Sequence, residues 1–233
     1  MTILTPGAAS APADISGGLS VRLLSRADSF REITDLLHRA YRGQMAMGLR
    51  PLAGRQDADT TRRRCTSGEC YVAVLGEAPA PGNGMLNGSN GHRGQSGVNG
   101  RNGHAQNTGP GAGTPRLTQS SVPAAGGGRI VGTILFHEVE DAKGPPWFQR
   151  PDVDSFSQFA VDPDIQGRGI GQLLLETAER RAAACGAREL GLSMAEPDTK
   201  LMEWYLRRGY RFIEHWQWPY TNYRSAILSK TLG

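Results

Sequence analysis

Cysteine is scarce in this chain, with three in 233 residues. Cys65, Cys70 and Cys185 are odd in number and show no C-x-x-C spacing, which argues against a disulfide framework or a zinc site. Long apolar runs are missing as well. No stretch approaches the ~20 residues needed to cross a bilayer, so no membrane partner is expected. Residues 1–20 lack a basic start followed by a continuous apolar stretch and do not read as a secretion signal, so the expected compartment is the cytoplasm. Hydrophobic residues make up only 38% and glycines number 31, so a good part of the chain lies outside any core. The remainder is still long enough to bury one.

Acid is missing from one whole stretch. Residues 78–128 contain Arg93, Arg101 and Arg116 but no Asp or Glu, and so supply three of the formal +4 charges. The basic pI of about 9.2 is therefore no nucleic-acid footprint. Arg62-Arg63-Arg64 is the one dense basic cluster, and without interleaved aromatics it reads as a solvated helix face. No nucleic-acid partner is expected.

The same stretch has almost nothing to bury. It holds five Asn-Gly pairs, yet none has the alternating apolar flanks that a hairpin needs. Glycine recurs at every third position from Gly88 to Gly103, but that run lacks proline and is too short for a triple helix. The expectation is a flexible Gly/Asn-rich insertion at 78–128 joining two adjacent strands, since loop closure becomes costlier only slowly with length. Residues 1–20 are expected to be a disordered tail. That leaves a single domain over 21–233, interrupted by the insertion.

Periodicity sets the rest. Val21–Leu24, Cys70–Leu75, Ile130–Phe136, Ser155–Val161 and Glu189–Met194 read as strands, and Arg211–Trp218 and Arg224–Ser229 as two closing strands. A first helix follows Ser25-x-x-Asp28, taken as its capping box, and carries Phe30, Ile33, Leu36, Leu37 and Ala40 before stopping near Gly43. A loop then leads to a short helix at Asp57–Cys65. A longer helix starts at Ile170, and another runs from Pro197-Asp198 to a terminal Gly209. The order β-α-α-β-β-β-α-β-α-β-β is that of an α/β layer fold.

The most telling stretch is Gln166-Gly167-Arg168-Gly169-Ile170-Gly171, between the strand ending at Val161 and the helix that follows. A glycine-rich turn opening a helix presents free backbone N–H groups and a positive dipole end to an anion. It is not a P-loop, because Gly171 is followed by Gln172-Leu173 rather than Lys and Ser or Thr. Nor is it the dinucleotide fingerprint, because Gln172 stands where the third glycine belongs. Val161-Asp-Pro-x-x-Gln166-Gly-x-Gly169-x-Gly171 resembles the acyl-CoA pyrophosphate loop of the GNAT superfamily of N-acyltransferases, whose pattern is Q/R-x-x-G-x-G/A. Downstream, Trp204-Tyr205-Leu206-Arg207-Arg208-Gly209-Tyr210 resembles that family's helix ending in Tyr-x-x-x-Gly-aromatic.

The resemblance implies a mixed, mostly antiparallel sheet flanked by helices, with acetyl-CoA as co-substrate and no metal. It implies that Gln166, Gly167, Arg168, Gly169, Ile170 and Gly171 hold the diphosphate. Phe159, Ala160 and Val161 would pair through their main chain with the pantetheine arm. Tyr205 matches the tyrosine placed to protonate the departing thiolate; by itself it reads instead as a half-buried aromatic packing its helix on the sheet. Asp198 stands where family members often have asparagine. His137, Glu138 and Glu196 are candidate bases, beside the alternative the resemblance implies, deprotonation through a water chain with no single base. The loop 44–56 and the aromatics Trp216, Trp218, Tyr220 and Tyr223 are candidates for the acceptor side. The partner is then a small-molecule or protein amine, and the protein a monomer or homodimer. The alternative is a catalytically silent acyl-CoA-binding module.

Overall fold

In the computed structural model the described residues are 18–76, 128–139 and 144–233. The expected tail up to residue 17 and the expected insertion from 78 to 127 lie outside them. Seven strands form one sheet: β1 (Leu19–Leu23), β2 (Glu69–Leu75), β3 (Arg129–His137), β4 (Val153–Val161), β5 (Glu189–Ala195), β6 (Arg211–Trp216) and β7 (Ser225–Thr231). Their order is β1-β2-β3-β4-β5-β7-β6, and every neighbouring pair is antiparallel except β4–β5. β1 thus starts two residues inside the stretch read as tail.

Side chains alternate along β2 as a strand buried on both faces requires. Val72 and Val74 point to helix α1 (Phe30–Ala40) and helix α3 (Ala58–Cys65), where Ile33, Leu36 and Leu37 form the buried stripe of α1. Ala73 points to the other face, against helix α4 (Ile170–Cys185) and helix α5 (Thr199–Leu206). On α4 the buried stripe is Ile170, Leu174, Leu175, Ala178 and Ala182. The sheet is therefore the middle of three layers.

Two local expectations change. Ser25 and Asp28 do not cap α1. Asp28 is drawn into a bidentate pair with Arg22 at 2.7 and 2.9 Å, and the cap is Ser29, whose hydroxyl accepts from the Glu32 N–H. The chain also does not go straight into a loop near Gly43: a short helix, α2 (Arg42–Ala46), follows α1 directly. At the other end of the molecule α5 stops at Leu206, and Gly209 takes up a left-handed conformation with φ of 86°.

Leu75 and Arg129 lie opposite each other at the ends of adjacent antiparallel strands. Removing 78–127 would leave residues 76, 77 and 128 to connect them, the length of an ordinary three-residue hairpin loop. That deletion is expected to move the melting temperature by no more than about 3 °C and to leave acetyl-CoA affinity unchanged. A drop of roughly 10 °C or more would show that 78–127 contributes to the core.

Asp154 on β4 is only 4% exposed. Its Oδ1 accepts from the Val139 N–H at 3.1 Å, while Oδ2 has no hydrogen-bond partner among the described residues. Burial pushes its carboxyl up to about 6, only partly offset by the Val139 N–H. Between the ordinary carboxylate range and pH 6 the unfolded chain thus gives up this proton before the folded one, so stability falls as pH rises through that window. Asp154→Asn is expected to stabilise the protein by about 2 kcal/mol at pH 7 and by almost nothing at pH 4, in urea titrations at both pH values. An effect of equal size at both would show that the carboxylate's charge is not the cost.

Candidate active site

β4 and β5 run side by side only from Val153–Phe156 against Glu189–Leu192, and beyond that they part. The cause lies in β4. Its pairing with β3 shifts register between Thr133 and Leu135, and Gln158, opposite that shift, has φ of 47°, a left-handed value rare outside glycine. Such a bulge bends a strand and re-aims it. It is held from below by buried polar groups: Gln56 Nε2 donates to Gln158 Oε1 at 2.7 Å and to Thr61 Oγ1 at 2.8 Å. Gln158 is 3% exposed. A strained conformation persists where its surroundings over-determine it, and this network does so.

The split opens into a cavity of about 1130 Å³. One wall is the end of β4, with Phe159, Ala160 and Val161; the opposite wall is the end of β5, from Leu192 to Ala195. Tyr41 Oη donates to the Phe159 carbonyl at 3.3 Å, so a side chain on the other helical layer ties down the divergent strand.

Past β4 the chain is anchored by Asp162, which is fully buried and accepts from Arg39, Arg129 and the Asp164 N–H. Burial alone would raise its carboxyl, but these donors outweigh it and hold it below the usual range. Gln166 then donates its Nε2 to the Val161 carbonyl at 3.1 Å, folding the loop back onto the strand. Gly167 and Gly169 both have left-handed backbones, with φ of 79° and 81°, in open space. Any other residue would be strained there. Gly169 is the N-cap of α4 and offers no side chain; the first internal bond of the helix runs from the Leu173 N–H to the Gly169 carbonyl. The N–H groups of Ile170, Gly171 and Gln172 therefore precede it, at the positive end of a helix of 16 residues. Gly171 needs no special backbone; a Cβ there would make ordinary contact with Phe159 and Val161 at 3.4 and 3.5 Å.

Of the loop residues, Gln166, Gly167, Ile170 and Gly171 line the cavity, whereas Arg168 and Gly169 do not. Phe159, Ala160, Val161 and Tyr205 all line it. The structure brings these eight lining residues to one place. Tyr205 is more deeply buried than a half-exposed packing residue, at 3% exposed, with its ring 5.5 Å from Tyr210, 6.2 Å from Phe156 and 6.4 Å from Phe159. Burial raises its hydroxyl well above the ordinary phenol range, so it stays protonated at neutral pH.

Among the expected bases, His137 lines the cavity, with Nε2 3.0 Å from Ser157 Oγ. Glu138 and Glu196 do not line it: Glu138 pairs with Arg181 at 2.7 Å, and Glu196 with Arg224 at 2.6 Å. Asp198 is also occupied, capping α5 through the Leu201 N–H and accepting from Gln44 Nε2 at 2.9 Å. On the acceptor side, the loop 44–56 and the aromatic segment meet. Asn222 bonds both the Gly48 carbonyl and the Arg50 N–H, and Arg55 donates to the Tyr220 carbonyl. Trp218, Tyr220 and Tyr223 line the cavity; Trp216 instead packs with Phe148, Val153 and Ile227.

Three features are not foreseen from the sequence. The Gln158 bulge leaves no mark in a regularly alternating strand. Tyr41 sits outside any motif. Arg64 shares a basic cluster with Arg62 and Arg63 that reads as a solvated face, yet it lines the cavity while its neighbours are exposed. A helix turns about 100° per residue, so three successive side chains cannot share one face; that step is the available signal. Among the described residues, no group of three or more His, Cys, Asp or Glu is placed to hold a metal ion, and no helix is long and apolar enough to cross a membrane.

Residues 113–210 match the acetyltransferase (GNAT) family model, a stretch that contains β4, the glycine loop, α4 and α5 and ends at Tyr210. Over this stretch, less than half of its length, the chain is similar to the GNAT acetyltransferases. Solved structures with the same architecture include a protein of Pyrococcus horikoshii, at 15% identity and TM-score 0.55, covering 93% of this chain and 99% of that one. Another is yncA of Salmonella typhimurium, solved with its cofactor acetyl-CoA, at 13% identity and TM-score 0.52, covering 93% and 95%. A third is a GCN5-related N-acetyltransferase from Kribbella flavida, at 17% identity and TM-score 0.53, covering 92% and 98%. At these identities the likeness is one of fold. A search of the curated proteins gave no match.

Proposed function

We propose that this chain transfers the acetyl group of acetyl-CoA to a primary amine by direct attack. The observation that carries the proposal is convergence: the amide-lined start of α4, the end of β4 that β5 leaves unpaired and the protonated Tyr205 all meet at the cavity opened by the β4–β5 split. The site lies at the carboxyl end of a parallel strand pair, where α/β sheets take their ligands.

The roles follow from chemistry. The N–H groups opening α4 hold the diphosphate, with the dipole adding to their pull. The main chain of Phe159, Ala160 and Val161 lies along the pantetheine arm and can pair with its amides as an added strand would. The amine lone pair attacks the thioester carbonyl carbon. As the tetrahedral intermediate collapses, the C–S bond breaks and Tyr205 Oη gives its proton to the thiolate. The amine's own proton goes to His137, the candidate base among the three that lines the cavity.

A silent acyl-CoA-binding module would share the loop but not the need for a buried proton donor. Incubating the full chain with acetyl-CoA and a panel of primary amines, while following release of free CoA thiol, separates the two. The proposal expects amine-dependent release. Tight acetyl-CoA binding with no release across small-molecule and peptide amines would favour the binding module.

A further inference from the structure

The acceptor side of the cavity contains a charge that acetyl transfer to an amine does not itself require. Arg64, in the last turn of α3, lines the cavity and lies close to Tyr41 and Tyr220. It makes one hydrogen bond, from Nη1 to Gln56 Oε1 at 2.6 Å, and no ion pair with a carboxylate among the described residues. Burial disfavours its charged form, but a guanidinium remains charged at any physiological pH. A partly desolvated cation with only a neutral amide beside it is costly, and an incoming anion relieves that cost.

The guanidinium is also pre-aimed. Gln56 is itself buried, its carbonyl 2.8 Å from His38 Nε2 and its side-chain amide fixed on Thr61 and Gln158. That arrangement holds Nη1, and the guanidinium, a planar fork, belongs to the cavity lining. Such a fork matches the two oxygens of a carboxylate. Asp198, the carboxylate that lines the same cavity, is engaged by Gln44 and the start of α5 rather than by Arg64. Beside it stands an aromatic wall, with Trp218 and Tyr220 stacked at 5.5 Å.

We propose that Arg64 binds a carboxylate on the acceptor, so that the substrate is a small amine that also bears an acid group, of the amino-acid type. The guanidinium takes the carboxylate, the aromatic wall takes the apolar part, and the amine is left toward the thioester. A protein lysine or a simple alkylamine offers no partner for Arg64. The inference rests on the acetyltransferase reading and narrows its substrate class.

The test uses the full chain with saturating acetyl-CoA and L-methionine, L-phenylalanine, L-glutamate and L-lysine, each beside its α-carboxamide, reading CoA release. At least one free acid is expected to exceed its carboxamide in kcat/KM by about 10²-fold or more. Arg64→Gln should remove most of that ratio by slowing the acid and leaving the carboxamide nearly unchanged; Arg64→Lys, which keeps the charge but not the fork, should fall between. Acetyl-CoA affinity, measured by calorimetry, should be the same in all three proteins. A purely structural Arg64 would instead weaken acid and carboxamide alike. That result, or carboxamides and plain amines acetylated as well as acids, or no acid accepted at all, would overturn the inference. If Arg64→Gln fails to fold, the acid-to-carboxamide ratio of the native protein decides alone. Failure to bind acetyl-CoA would sink the acetyltransferase reading, whereas binding with turnover of uncharged amines would sink only this inference.

Discussion

Gly169→Val is expected to lower acetyl-CoA affinity by about 10²-fold or more while the protein stays folded. Gly169 has φ of 81°, and a Cβ added there would meet nothing within 4 Å, so the penalty is one of backbone conformation and not of collision. A left-handed backbone costs an ordinary residue roughly 1–2 kcal/mol, and a β-branched one more. The loop can shed that strain by rotating, but rotation re-aims the N–H groups that open α4. Each hydrogen bond to a charged partner is worth about 1.5–3 kcal/mol, so losing two accounts for the expected drop. Gly169→Asn is the control, because asparagine tolerates this conformation, and it should stay within roughly tenfold of the native protein. Calorimetry with acetyl-CoA, alongside circular dichroism, checks both. A folded valine variant with native affinity would remove the loop from the binding site.

Tyr205→Phe is expected to reduce turnover by about 10²–10⁴-fold, the range for loss of a positioned proton donor. The ring contacts with Phe156, Phe159 and Tyr210 survive the change, so acetyl-CoA affinity and melting temperature should scarcely move. Packing makes the opposite forecast: Tyr205→Phe would be silent in rate, and Tyr205→Ala would cost about 3–5 kcal/mol of stability through the cavity it leaves. The alanine loss is expected on either reading, so the phenylalanine variant is decisive. Full turnover in that variant would end the general-acid role and leave the binding loop untouched.

The parts of the site legible in the sequence are the local ones. A glycine turn that opens a helix is written in consecutive residues, as is a tyrosine four positions before a left-handed glycine. The strands can be read because their pattern is local, as in the alternation of Ser155 to Val161 or the continuous apolar run of Tyr71 to Leu75. What escapes depends on contacts far along the chain. Gln158 takes its left-handed backbone because Gln56, 102 positions away, holds its side chain. Asp28 accepts from the Ser25 N–H and from Arg22 together, yet the helix begins only after Ser29. Arg64 points inward because α3 packs against α1, which a charge count along the sequence does not register.

Hydrogen exchange with and without acetyl-CoA tests the central claim most directly, since that claim is about which backbone groups meet the ligand. The account predicts slowed exchange at the amides that open α4, residues 170–172, and along 159–161, the end of β4 that lines the cavity. Full-rate exchange at both segments with saturating acetyl-CoA, or protection confined to another part of the sheet, would contradict it.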